Sequence, residues 1–157
     1  MKRSVYIETT IPSFYYEVRT EPIMVARRES TRCWWTEEGP SYALHTSAFV
    51  IGELQEGDYP GRQHSLELIE SLPLLKIVPA IEQIVSAYLK RKLMPLGDAY
   101  HLAVASYYVM HFVLTWNCRH LANANKVRHL QVVNSELGLP VPIVTTPDLL
   151  LLETNND

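Results

Sequence analysis

The sequence predicts an α/β protein built on a mostly parallel sheet of four to five strands with helices on both faces. Short β-branched and aromatic runs recur along the chain, at 5–7 (VYI), 42–46 (YALHT), 74–78 (LLKIV) and 111–116 (HFVLTW). Each is followed by a segment with helical apolar spacing, the alternation that builds parallel sheets. The first run breaks abruptly into Glu8-Thr9-Thr10, and Pro12 lacks the backbone donor a central strand needs. A buried strand that ends this way delivers a carboxylate to the carboxyl edge of the sheet, where ligands bind in open α/β folds.

The elements follow in order. Strand one ends near Glu8, and residues 11–19 form a connection. A helix is expected over 21–38, with Met24, Cys33, Trp34 and Trp35 on its apolar side, Arg27, Arg28 and Arg32 on its wet side, and Gly39-Pro40 as its stop. Strand two covers 42–46, and Ser47 is placed to cap a helix through Phe49, Val50, Glu53 and Leu54 to Gly57. After a loop at 57–61, a helix over 62–71 leads to strand three at 74–78, closed by Pro79. Residues 81–93 form a helix with Lys90-Arg91-Lys92 at its end, where cations suit the dipole. Asp98 opens a small-residue, buried helix to Met110, and strand four covers 111–116 and ends at Asn117. A helix is expected over 119–137, then an edge strand at 141–145, since Pro142 excludes it from the middle of a sheet. Pro147-Asp148 is expected to open a last short helix. Residues 1–152 form one expected domain and 153–157 a disordered tail.

Composition narrows the class. At 157 residues, 47% hydrophobic and 20% charged, the chain suits one globular domain with a proper core. No apolar run reaches the roughly 18 residues of a membrane span. Cys33 and Cys118 are the two cysteines, without a C-x-x-C pair, so a disulfide framework and a zinc–thiolate site are not expected and a reducing cytoplasm is the default. The net charge of −3 argues neither for nor against nucleic acid, because a metal-dependent nuclease meets phosphate through its ions.

Four polar positions share an edge if the strands are parallel. Glu8 and Asn117 end strands, Asp98 opens a helix at that edge, and Glu53 sits in the helix after strand two. Oxygen ligands of this kind suit magnesium or manganese. Carboxylates crowded into a small site need a compensating cation. Thr9, Thr10 and Ser47 are candidates for hydrogen bonds to the acids or for caps. Arg119, with His120, Lys126, Arg128 and His129, forms a basic segment beside Asn117 that fits an anionic substrate. The histidines show no ligand spacing of the H-E-x-x-H kind, and none is assigned to metal.

The segments YIETTIPSFY, SAFVIGELQEGD, GDAYHLAVA and VLTWNCRHLANA, taken in that order, resemble the PIN domain, the metal-dependent ribonuclease fold of VapC-type toxins. Nearly the whole chain is covered. Two positions differ from the family's usual aspartates: Glu8 stands at the first and Asn117 at the last, and TWNCRHLANA resembles a branch that carries both changes. The resemblance implies a three-layer α/β/α fold and a Mg2+- or Mn2+-dependent endoribonuclease. It implies Glu8, Glu53, Asp98 and Asn117 as catalytic and metal-binding residues, Asn117 through a neutral carbonyl, and Thr9, Thr10 and Arg119 as substrate-binding. Glu56 or Asp58 would restore the charge lost at Asn117. RNA substrate, an antitoxin protein and a homodimer are the implied partners, with Tyr15, Tyr16, Trp34 and Trp35 as candidate contacts if exposed. The alternative is a catalytically impaired module that binds RNA or an antitoxin. An aspartyl phosphotransferase would need D-x-D-x-T where the chain reads E-T-T, and dinucleotide binding lacks G-x-G-x-x-G.

Overall fold

Val5, Tyr6 and Ile7 have no solvent exposure, which only the centre of a sheet covered on both faces provides. In the computed structural model, which describes residues 1–152, strand β1 (Ser4–Ile7) is the middle of five. Around it lie β2 (Ala43–Ser47), β3 (Leu74–Leu75), β4 (Phe112–Leu114) and β5 (Ile143–Thr145), in the order β3-β2-β1-β4-β5. Every pairing is parallel. The register sets Tyr6 beside His45 and Val113, so the carboxyl ends of β1, β2 and β4 lie at one edge. β5 is an edge strand as expected, and its Ile143 is 60% exposed.

Helices α1 (Thr10–Tyr15), α2 (Pro22–Cys33), α3 (Ala48–Gln55), α4 (Arg62–Ile69), α5 (Pro79–Lys90), α6 (Leu96–Tyr107) and α7 (Ala124–Glu136) complete the three layers. Small residues let α6 approach closely. Ala99, Ala103 and Ala105 are wholly buried, and α5 packs along the helix. Between α5, α6 and α7 the buried Tyr88 hydroxyl donates to Asn134 Oδ1 at 2.5 Å, and Asn134 Nδ2 donates to Ser106 Oγ at 3.0 Å. Both Asn134 and Ser106 are fully buried, so these bonds satisfy polar groups that would otherwise destabilise the core.

Several elements differ from expectation, each for a local reason. Residues 10–15 are helical, because Pro12 falls in the first turn, where its missing N–H has no helical partner. The helix over 21–38 stays regular only to Cys33; Trp34–Glu38 widens into a π turn that buries Trp34, whose indole N–H donates to Leu150 O at 2.7 Å. Trp34 is 1% exposed and therefore unavailable as a partner contact. Arg27 is half-buried, its guanidinium over the Phe14 and Trp116 rings at 5.5 and 5.4 Å. β3 is short because it pairs only with Thr46 and Ser47, after which β2 gives way to α3.

The helix expected from 119 begins at Ala124. The Asn117 side-chain oxygen first accepts from His120 N, and Asn123 then caps α7 by accepting from Asn125 N. Pro147-Asp148 forms a turn held by the Thr146 hydroxyl and Asp148, not a helix. No helix among the described residues is long and apolar enough to cross a membrane. The expected tail, 153–157, lies outside the described residues.

The centre and the edge of the sheet should respond differently to truncation. Ile7→Ala empties a fully buried site and should cost about 2–5 kcal/mol in urea unfolding. Ile143→Ala on the exposed edge should stay within about 0.5 kcal/mol.

Candidate active site

Glu8 follows β1 at the carboxyl edge and is only 4% exposed. Its Oε2 receives the Thr10 N–H at 3.1 Å, the Thr10 hydroxyl, and the Thr115 hydroxyl at 2.6 Å. Each hydroxyl also accepts from the backbone just past β4: Thr10 Oγ1 from Trp116 N at 2.8 Å and Thr115 Oγ1 from Asn117 N at 3.0 Å. One Glu8 oxygen is thus fully engaged. Oε1 takes no hydrogen bond among the described residues and lies 3.8 Å from His101 Nε2.

Glu53 comes from α3, whose start Ser47 caps by accepting from Val50 N at 3.3 Å. Its Oε1 accepts from the Thr9 hydroxyl and from His101 Nε2, each at 2.6 Å. Burial works to raise its pKa, but the hydrogen bond and charge of His101, with Thr9, hold it below the usual carboxylate range. A Cβ on Gly97 would lie 3.3 Å from Glu53 Oε2, so a side chain at the start of α6 would crowd the Glu53 carboxylate.

Asp98 lies in the first turn of α6 and accepts from Asn117 Nδ2 at 2.9 Å. Burial, then the charge of Glu8, pushes its pKa up against the opposing influence of His101, His120 and Asn117. One turn further along the same face is His101, 1% exposed. Its Nδ1 is 2.7 Å from the Tyr6 hydroxyl, which lies 2.8 Å from Ser47 Oγ. Burial raises the Tyr6 phenol far above its ordinary range, so it stays neutral.

Glu8, Glu53 and His101 each offer a ligand atom within 4.8 Å of the others, a group that could hold a metal ion. Asp98 adjoins it without being part of that tight set. Glu8 Oε1, Glu53 Oε2 and Asp98 Oδ2 remain uncommitted among the described residues, so the donor set fits a hard divalent cation with one nitrogen beside its oxygens.

The sequence-assigned residues fall into distinct places. Asn117 meets Asp98, but through its amide N–H, while its carbonyl is occupied by His120 N. The Thr9 and Thr10 hydroxyls turn inward onto Glu53 and Glu8. Arg119 is exposed on the turn after Asn117, and Glu56 and Asp58 are exposed beyond α3. The expectation that no histidine joins the group does not hold. His101 was legible as D-x-x-H in α6, an i, i+3 pair on one helix face. Thr115 and Tyr6 gave no such signal; only strand register brings them here.

Solved structures share this fold. A chain of a toxin–antitoxin complex from Klebsiella pneumoniae aligns with a TM-score of 0.58 at 16% identity, covering 91% of this chain and 97% of that one. VapBC2 from Rickettsia felis bound to a DNA fragment from their promoter gives 0.59 at 13% identity, over 91% and 98%. FitAcB from Neisseria gonorrhoeae gives 0.54 at 14%, over 93% and 99%. The architecture is the PIN-like three-layer α/β/α fold. No family model matches the sequence, and no curated protein matches it either.

The two titrating acids should affect stability in opposite senses in metal-free buffer. Glu53 is held low, so its charged form stabilises the fold above the unfolded carboxylate pKa and that contribution is lost as pH falls. Asp98 is pushed up, so its ionisation weakens the fold as pH rises through its raised pKa. At pH 7, Asp98→Asn should raise Tm by about 1–2 °C. Glu53→Gln should lower it, with both differences fading toward pH 3 in thermal melts.

Proposed function

We infer that the chain is a divalent-metal-dependent ribonuclease, cleaving phosphodiesters at the carboxyl edge of the sheet as the toxin of a toxin–antitoxin pair. The observation that carries this reading is the grouping of Glu8 and Glu53 with His101, ligand atoms within 4.8 Å of one another, with Asp98 close enough for the Glu8 charge to raise its pKa after burial. Three carboxylates alone would repel a phosphate. Glu8, Glu53 and Asp98 would hold the ion, and Asn117 would steady Asp98 by donating to its Oδ1. A divalent ion held there would supply Lewis acidity, lowering the pKa of a bound water and offsetting charge that develops on the phosphate.

The chain's own groups account for the rest. Thr10 and Thr115 hold Glu8, and Thr9 and His101 hold Glu53, so the acids are oriented before substrate arrives. The turn carrying Arg119 offers an exposed cation beside Asn117 for the RNA backbone. No side chain need become covalently attached to the substrate. The toxin role draws support from the structural neighbours, among them a toxin–antitoxin complex from Klebsiella pneumoniae. An antitoxin protein and a second copy of the chain are the expected partners.

Single-stranded RNA should be cut only with Mn2+ or Mg2+ present. Asp98→Asn and Glu8→Gln should each lower the rate by about 10²–10³-fold while the circular dichroism spectrum is retained. Undiminished cleavage by Asp98→Asn would remove the site assignment. RNA or antitoxin binding without cleavage by the unmodified chain would favour a non-catalytic binding module.

A further inference from the structure

The His101 ring is held as a ligand would be. Phe49 meets it edge-on with centroids 5.2 Å apart, and Tyr6 lies tilted against it at 5.7 Å. Behind the ring, Nδ1 faces the Tyr6 hydroxyl, and Tyr6 is itself tied to Ser47, which is fixed as the cap of α3. In front, Nε2 lies 2.6 Å from Glu53 Oε1 and 3.8 Å from Glu8 Oε1. Imidazoles that bind metals have this arrangement: the far nitrogen is tied to a hydrogen-bonding partner that fixes ring orientation and tautomer. Without metal, Nε2–H donates to Glu53 Oε1; with a cation on Nε2 the ring proton lies on Nδ1 and is donated to Tyr6, which frees the Nε2 lone pair for the metal. Both hydroxyls of the Tyr6–Ser47 pair can donate or accept, so the chain accommodates that sense.

We propose that His101 Nε2 is a direct metal ligand with Glu8 and Glu53, and that this nitrogen makes the site select manganese over magnesium. The proposal rests on the metal-site part of the reading above. Magnesium favours all-oxygen surroundings and gives up its waters reluctantly, whereas transition-metal dications accept imidazole readily. The nitrogen stands in a site that has a neutral amide at Asn117, whose carbonyl is already occupied. Tyr6 is then a positioning residue, since it reaches the metal only through His101.

The test is pulsed electron paramagnetic resonance of the full-length chain loaded with Mn2+, with calorimetry for Mn2+ and Mg2+ and an RNA cleavage assay alongside. Expected are a nitrogen hyperfine coupling to manganese, Mn2+ affinity at least about tenfold above that of Mg2+, and loss of both in His101→Gln. Tyr6→Phe should keep the coupling and weaken Mn2+ about tenfold. Should His101→Gln fail to fold, heavy-nitrogen histidine in the unmodified chain must shift the coupling, and His120→Gln must leave it in place. Bound manganese without nitrogen coupling overturns the proposal, and cleavage in that sample leaves the nuclease reading standing. Coupling without cleavage upholds the proposal and removes the nuclease. No manganese binding at millimolar concentration overturns both.

Discussion

The clamp on Glu8 is the interaction on which the rest of the site depends. A carboxylate 4% exposed at the end of the central strand would lose several kcal/mol of solvation without compensation. Three donors converge on one of its oxygens, two of them hydroxyls that also accept the backbone N–H groups following β4. The clamp therefore fixes the carboxylate and ties the end of β1 to the end of β4. It also leaves the second oxygen without a hydrogen bond among the described residues, 3.8 Å from His101 Nε2.

Around that fixed charge the site is electrostatically unbalanced. Burial, then the charge of Glu8, raises the pKa of Asp98, while His101 outweighs burial to lower that of Glu53, so the two remaining acids are pushed apart. The cost is borne by a well-satisfied interior: the Tyr88–Asn134–Ser106 bonds and the close packing of α6 are far from the carboxyl edge and hold the helix that carries Asp98 and His101.

Much of the fold was legible because its signals are local. The strand runs, the proline after β1, the Ser47 cap and the edge position of β5 each follow from residues a few positions apart. Where the reading departed, longer-range contacts decided. β3 ends early because β2 turns into α3, the Trp34 turn widens to reach Leu150, and the start of α7 waits for Asn117 and Asn123 to satisfy the preceding turn. Glu8 and Asp98 could be named from a strand end and a helix start, and Glu53 only with the help of the family resemblance. Tyr6 and Thr115 could not be joined to them by the same logic, because their roles depend on register between strands, whereas His101 left a trace in the D-x-x-H spacing of α6.

The central claim is that Glu8, Glu53 and Asp98 form one cation site at the carboxyl edge. Anomalous diffraction from crystals soaked in millimolar manganese tests it most directly. The account requires a single strong peak bonded to Glu8 and Glu53, with Asp98 in direct or water-mediated contact. A well-ordered cleft with no anomalous density, the three carboxylates held as they are here, would contradict it.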